Sequence, residues 1–500
     1  MTENSPTSRH SPETMPLAET MFSPPASAPE SDSSPPNTCR SSPLDSVRFA
    51  KIIARSDVLI VTLVLLLAFL CASSRARNSD LWMHLATGKA LVQGRYHFGS
   101  DPFAHTVEGV YWVNHFWLYD LLCYALYQTL GGSSLVLFKV ALVVLLAVVL
   151  LRLSWEGGSL WVPAVCTGLA ILAISCHLLL QPIYVSYLFL ALTLWFLEKP
   201  RRIPTRRAES ARSWRAFLFY WPLVPLFVLW VNLDGWFLLG PLTVALYWLG
   251  HVLDGWRAVD RTEQREQART LGLVTLASLA ACLLNPHHVH AFVLPYQLGF
   301  SGAGAALRQN ALFRGLFLSP FEDLYFRASF GLNAAGLAYF PLVLLGVLSF
   351  AINWRDWRWR RALIWLAFFV LSAYQARAIP FFAVVAGPVM AFNFHEFAAR
   401  HRAPARAWAF GGRLLTVFIT LGLVVAAWPG WLQAPPYEPR DWTVEVDPSL
   451  QQAAARINEW RRDGRLDPQA LVFHSSLDAA NYFAWACPEE RGFFLSLIHI

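Results

Sequence analysis

The sequence predicts an all-α polytopic membrane protein, and three observations carry that prediction. Only 15% of the 500 residues are charged and 55% are apolar, whereas a soluble chain carries about a quarter charged. The apolar residues come in long uncharged runs, among them 58–72, 160–176 and 414–428, close to the length a helix needs to cross a bilayer. Arg and Lys gather in the short connections between those runs, where they orient a membrane protein and meet anionic headgroups.

Taken in chain order, residues 1–56 form a Ser-, Pro- and Thr-rich tail that cannot bury enough surface to order itself. It is no signal peptide, because the apolar run starts only at Val58. Arg48, Lys51 and Arg55 close it and hold it in the cytoplasm. A transmembrane domain over 57–428 follows. Its candidate spans lie at 58–73, 134–152, 160–176, 180–197, 214–231, 235–252, 270–285, 335–352, 361–376, 379–393 and 411–428, about eleven crossings. The connections at 198–213, 253–269, 353–360 and 394–410 each hold basic clusters, such as Lys199-Pro-Arg201-Arg202. Those at 177–180 and 232–234 hold no Lys or Arg. The alternation works if 116–131, which carries Asp120, lies in the interface. As a span it would put the 199–212 cluster outside, against the positive-inside rule. Regions 74–133, 286–334 and 429–500 are then extracytoplasmic. The last reads as a small α/β unit: Asp447 caps a helix with Pro448 first and Leu450, Ile457 and Trp460 on one side, and a strand follows at 470–474. It stops mid-strand at Phe493-Phe-Leu-Ser-Leu-Ile-His-Ile, so an incomplete unit is expected.

A net charge of +7 placed in membrane connections does not point to nucleic acid. Seven scattered Cys, with no CxxC pair, imply neither a disulfide framework nor a zinc site. Polar residues collect instead at the outer ends of the spans. They are Asp80 and His84, His177 and Gln181, Asn232 and Asp234, Asn285-Pro-His287-His288-Val-His290, and Arg377 in the tight turn Gln375-Ala-Arg-Ala-Ile-Pro380. A clean midplane argues against an ion-coupled carrier and against a lipid-linked saccharide translocase, which needs a polar path. Convergence on one face suits an enzyme open to the outside, and a non-catalytic scaffold stays open as an alternative.

Asp80, His84 and Gly88 stand four residues apart and share one helix face. Asp80 reads as a helix N-cap partnered by His84, or as a general base near the membrane surface. The stretch Trp112-Val-Asn-His115-Phe-Trp117 suits both a sugar-stacking platform and a headgroup-level belt. The His287 group has no carboxylate or Cys at ligand spacing, so no metal is expected. Arg377, in a short outer turn between apolar spans, needs an anionic partner such as a lipid phosphate or a nearby Asp.

Asn78-Ser-Asp80-Leu-Trp-Met-His84-Leu-Ala-Thr-Gly88, Asp101-Pro-Phe-Ala-His-Thr106 and Trp112-Val-Asn-His115-Phe-Trp117 resemble the first outer loop of a group of bacterial multi-pass proteins. That group is similar to the GT-C glycosyltransferase superfamily, which includes protein O-mannosyltransferases. Trp230-Val-Asn-Leu-Asp234-Gly and Arg377-Ala-Ile-Pro-Phe-Phe agree, although the closer relatives usually carry His where Asp234 stands. The resemblance implies transfer of a sugar from a polyprenyl-phosphate donor to an extracytoplasmic acceptor at a bacterial plasma membrane. Asp80 would be the catalytic acid-base residue, matching by position the acidic residue after the first span. His84 and His115 would tune the base or bind sugar, and Trp112, Trp117, Asp234 and His287 would line the substrate site. Arg377 and Arg327, or Arg314 or Arg308, would hold the leaving phosphate, with no cofactor.

Overall fold

The computed structural model describes residues 43–500 apart from 106–108, 110, 199–218, 257–260, 294–316, 328–330, 402–405, 434–436, 438, 468, 471, 475, 491 and 493–500. Contacts divide the chain after Ala50, and the unit from Lys51 onward holds everything discussed below.

The fold is helical. Helix α1 (Pro43–Ala72) leads into an outer helix α2 (Asp80–Val92), and then come α3 (Trp117–Leu130), α4 (Gly132–Ser154), α5 (Trp161–Ser175) and α6 (Ile183–Glu198). After them come α7 (Leu223–Leu233), α8 (Leu239–Gly255), α9 (Arg261–Ala281), α10 (Tyr339–Ile352), α11 (Trp359–Tyr374), α12 (Ile379–Arg400) and α13 (Arg406–Ala427). Each of the eleven expected spans overlaps one of these helices, with 214–218 outside the described residues. Six stretches are long and apolar enough to cross a membrane: Lys51–Ala72, Gly132–Ser154, Gly235–Gly255, Ala334–Ile352, Ala376–Arg400 and Phe410–Ala427. Helices α5, α6 and α7 are apolar but shorter.

Helix α12 is the axis of the bundle. Pro380 opens it and its residues from Ile379 to Asn393 are buried. It lies so close to α5 that a Cβ on Gly387 would stand 3.4 Å from Ala170 Cβ. The turn just before α12 presents Arg377. Helix α13, by contrast, shows Leu415, Phe418, Ile419 and Val425 on its exposed side, as a lipid-facing helix does.

Helix α2 lies between α3 and the C-terminal segment. That segment contains α14 (Pro448–Arg462) and α15 (Leu477–Ala486). Asp447 caps α14 as its sequence predicts, accepting from Ser449 N at 2.8 Å. Its buried side is Ala454, with Leu450 and Ile457 packed against the core, while Trp460 stays 39% exposed. The strand expected over 470–474 is a single parallel bridge, Val472 with Gly492. The segment is stitched instead to the stretch between α1 and α3. Ala76 N donates to Thr443 O at 3.0 Å and Glu445 N to Ala76 O at 2.8 Å, while Gly492 N donates to Phe103 O at 2.9 Å. Tyr482 and Trp485 of α15 pack on Trp82 of α2, with ring centroids 5.3 and 6.4 Å apart.

Candidate functional site

Asp80 sits at the junction of three elements. Ser79, rather than Asp80, occupies the N-cap position of α2, and Asp80 is its first helical residue. Its carboxylate makes no capping bond. Oδ2 accepts from Gln181 Nε2 at 2.9 Å, and Oδ1 accepts from Asn481 Nδ2 at 3.3 Å. Both donors are amides, which suit a carboxylate and cannot satisfy a protonated acid's hydroxyl by donating to it. Gln181 is placed by the loop between α5 and α6, which Asn78 pins by exchanging bonds with Leu180: Asn78 Nδ2 donates to Leu180 O at 2.7 Å and Leu180 N donates to Asn78 Oδ1 at 3.2 Å. Asn481 arrives from α15 and is fully buried.

The partner expected for Asp80, His84, is engaged elsewhere. Its Nδ1 lies 2.6 Å from Asp120 Oδ1, and Asp120 Oδ2 accepts from Asn114 Nδ2 at 2.9 Å. All three side chains are buried. Burial disfavours a charge on His84, but the Asp120 carboxylate, helped by Asp80 and Asp234, outweighs it and raises the imidazole above its ordinary range. Burial likewise raises Asp120, against the pull of His84 and Asn114. Gly88 allows this pairing: a Cβ there would stand 2.3 Å from Asp120 O and 2.6 Å from Tyr124 Cβ. His84 and Gly88 therefore meet α3, whereas Asp80, one turn earlier, meets the α5–α6 loop and α15.

Asp234 is buried after α7. Trp230 Nε1 donates to Ser186 Oγ at 2.6 Å, and Ser186 in turn donates to Asp234 Oδ2. Burial lifts its carboxyl to about 6, although Ser186, the backbone amides of Trp236 and Gly235, and His84 all pull the other way. Arg377 stands in different surroundings. Its guanidinium carbon lies 5.3 Å from the ring centroids of both Trp236 and Phe317. No carboxylate among the described residues pairs with it, and its Nε is buried without a hydrogen-bond partner. The anionic partner that the sequence demands is thus not Asp234 or Asp80.

The remaining candidates divide. His287 Nε2 accepts from Asn114 N at 3.2 Å and its Nδ1 lies 3.3 Å from Tyr111 Oη, so it braces the loop that delivers Asn114 to Asp120. Burial, then the nearby His115, lowers it to about 4. His115 is buried, donates Nε2 to Ala291 O at 2.8 Å and stacks on Phe237. Trp112 is buried in a small cluster beside Tyr96, and Trp117 donates to Asn232 Oδ1 at 2.9 Å. Trp112 is thus enclosed and offers no open ring face for sugar stacking, whereas Trp117 is only half-buried. Arg327 ends the short helix Asp323–Arg327, and its side chain, like Arg308 and Arg314, lies outside the described residues. Among the described residues no three His, Cys, Asp or Glu side chains converge to hold a metal ion. Sequence reasoning missed Asp120, Asn114 and Asn481 as site residues. A lone carboxylate in the apolar stretch 116–131 was the available signal for the first, since such a group must find a partner.

No family model matches the chain, and no curated protein matches it. Solved structures do. The chain is similar to the Archaeoglobus fulgidus oligosaccharyltransferase tethered with an acceptor peptide containing the NVT sequon, with a TM-score of 0.56 and 14% identity over 89% of this chain. It is similar to AglB from Archaeoglobus fulgidus in complex with an inhibitory peptide and a dolichol-phosphate, with a TM-score of 0.55 and 14% identity over 92% of this chain. The apo form of the first enzyme gives a TM-score of 0.54 and 13% identity over 88%. The chain spans 64%, 65% and 64% of the length of these three structures. At such identities the likeness is one of fold. By that likeness and by its apolar helices, the chain has a GT-C-like membrane fold.

Proposed function

We propose that this protein is a membrane glycosyltransferase that moves a sugar from a polyprenyl-phosphate donor to an extracytoplasmic acceptor, with the 1–56 tail on the cytoplasmic side. The observation that carries the reading is a site with two electrostatic poles. One pole gathers Asp80, Asp120 and Asp234 around His84. The other is Arg377, a cation with aromatic neighbours and no carboxylate partner among the described residues. The Trp236 ring against which Arg377 lies at 5.3 Å is two residues beyond Asp234, so the poles are neighbours. Proton abstraction belongs at the first pole and a leaving phosphate at the second. The likeness to an enzyme solved with a dolichol-phosphate supports a donor of that class.

In the reaction, the acceptor hydroxyl gives its proton to Asp80 and its oxygen bonds to the anomeric carbon. The bond from that carbon to the phosphate oxygen breaks, and its electron pair leaves on the lipid phosphate, whose charge Arg377 receives. Asp80→Asn is the test. The amide keeps the size of the side chain but cannot take up a proton. Full-length protein in membranes, given a panel of radiolabelled polyprenyl-phosphate sugars, should lose transfer by about 10²–10⁴-fold while keeping its thermal stability. Normal turnover by Asp80→Asn removes the base from this reading.

A further inference from the structure

We propose that the His84–Asp120 pair is a second proton-accepting unit, which takes from Asp80 the proton released by the acceptor and so restores the Asp80 carboxylate. The inference rests on the transferase reading above. Three observations carry it. Asp80 and His84 are one helical turn apart on the same face of α2, which sets their Cβ atoms about 5–6 Å apart, within reach directly or through one water. Asp120 holds the Nδ1 side of the ring at 2.6 Å and is itself oriented by Asn114. A carboxylate held this way selects the Nδ1–H tautomer and leaves the Nε2 lone pair as the base. Among the described residues His84 hydrogen-bonds through Nδ1 alone, to Asp120.

Asp80 and His84 thus differ in duty. Asp80 accepts an amide hydrogen bond on each oxygen, an arrangement that suits a carboxylate. The proton it takes up passes on to a second base. His84 is that base: Asp120 faces it from α3, Asp80 from its own helix and Asp234 from the turn after α7, while the Tyr119 ring stands edge-on at 5.3 Å. Helix α15 contributes only the neutral amide of Asn481 at this point. The proton ends on Nε2 as an imidazolium paired with the Asp120 carboxylate, and it leaves to solvent after the product departs. A phosphate docked at His84 is disfavoured by the same three carboxylates, which is why the leaving group is assigned to Arg377.

The sign of the pH dependence follows. The relay works while His84 is neutral, so transfer falls as pH drops through its raised pKa. Asp120→Asn removes the leading cause of that raise and leaves burial unopposed by it, so the acidic limb moves to lower pH. The experiment uses full-length protein in nanodiscs. Histidine ¹⁵N NMR, with the His84 signals identified by their loss in His84→Gln, reads the tautomer and midpoint without any substrate. The expected result is an Nδ1–H tautomer whose midpoint drops in Asp120→Asn and, by less, in Asp80→Asn. With the polyprenyl-phosphate donor panel, Asp120→Asn should lower kcat with KM little changed and shift the acidic limb as the NMR midpoint shifts. An Nε2–H tautomer, a midpoint indifferent to Asp80→Asn, or an Asp120→Asn profile matching wild type overturns the relay alone. A wild type that transfers nothing from any donor overturns the transferase reading itself.

Discussion

Arg377 was legible as a problem before it was visible as a site, because an arginine in a three-residue turn between apolar segments has few places to send its charge. Its neighbours turn out to be rings: Trp236 and Phe317 accept the flat face of the guanidinium, a cation–π arrangement that leaves edge donors for an anion. Arg377→Ala should therefore weaken binding of undecaprenyl phosphate by about 1.5–3 kcal/mol, as for a hydrogen bond to a charged group. Arg377→Lys should recover only part of this, since an ammonium neither stacks nor forks. Radiolabelled-lipid binding to purified protein measures both, and an unchanged affinity for Arg377→Ala would make the residue structural. Asp80 was equally legible, but its partners were not. Gln181 lies 101 positions away and Asn481 401 positions away in sequence, and no periodicity connects residues at such separations.

At the scale of elements, the sequence placed helices well where hydropathy alone decides them, and less well where charge begins them. Helix α9 starts at Arg261, inside the connection expected over 253–269, because Arg, Glu, Gln and Ala are strong helix formers even without burial. The packing of α2 on α3 was not readable at all. Gly88 makes it possible, and Gly88→Ala tests it. Alanine is intrinsically better in a helix by roughly 1 kcal/mol, yet its Cβ would press on the Asp120 carbonyl at 2.3 Å. Overpacking of this kind costs about 1–3 kcal/mol, so the variant should melt at lower temperature and loosen the His84–Asp120 bond. A melting temperature at or above wild type would show that α2 can retreat from α3 without cost. A second test concerns the clamp midway along α1, where Arg413 Nε meets Asp57 Oδ1 at 2.7 Å and Ser159 Oγ donates to Asp57 Oδ2 at 2.7 Å. Both charges are nearly fully buried. Asp57→Ala strands the arginine and should cost about 3–5 kcal/mol. The double variant Asp57→Leu/Arg413→Met should regain much of that, as judged by thermal unfolding in detergent. Equal losses in the two variants would refute the clamp.

The whole molecule raises the question of which face is which. Every site residue named above sits at one end of the helices: Asp80 and Asp234 follow α1 and α7, Gln181 follows α5, and Arg377 follows α11. The clamp of Asp57, Ser159 and Arg413, in the N-terminal halves of α1 and α13 and just before α5, marks the other side. The C-terminal segment covers the site end, because Asn481 reaches Asp80 and the 443–445 backbone pairs with Ala76. Positive charge orients the assembly. The basic cluster Lys199-Pro-Arg201-Arg202 belongs to the connection after α6, on the clamp side, and the connection 177–180 on the site side has no Lys or Arg. The positive-inside rule predicts that the clamp side faces the cytoplasm. Single-cysteine variants in intact cells check this with a membrane-impermeant maleimide. His97→Cys, exposed just beyond α2, should label directly, and Thr205→Cys should label only after permeabilisation. The second position is the decisive one. Were 116–131 a crossing rather than an interfacial helix, every later connection would change sides, and Thr205→Cys would label from outside. That result would put the basic cluster outside and set Gln181 across the membrane from Asp80, against the bond of 2.9 Å that joins them.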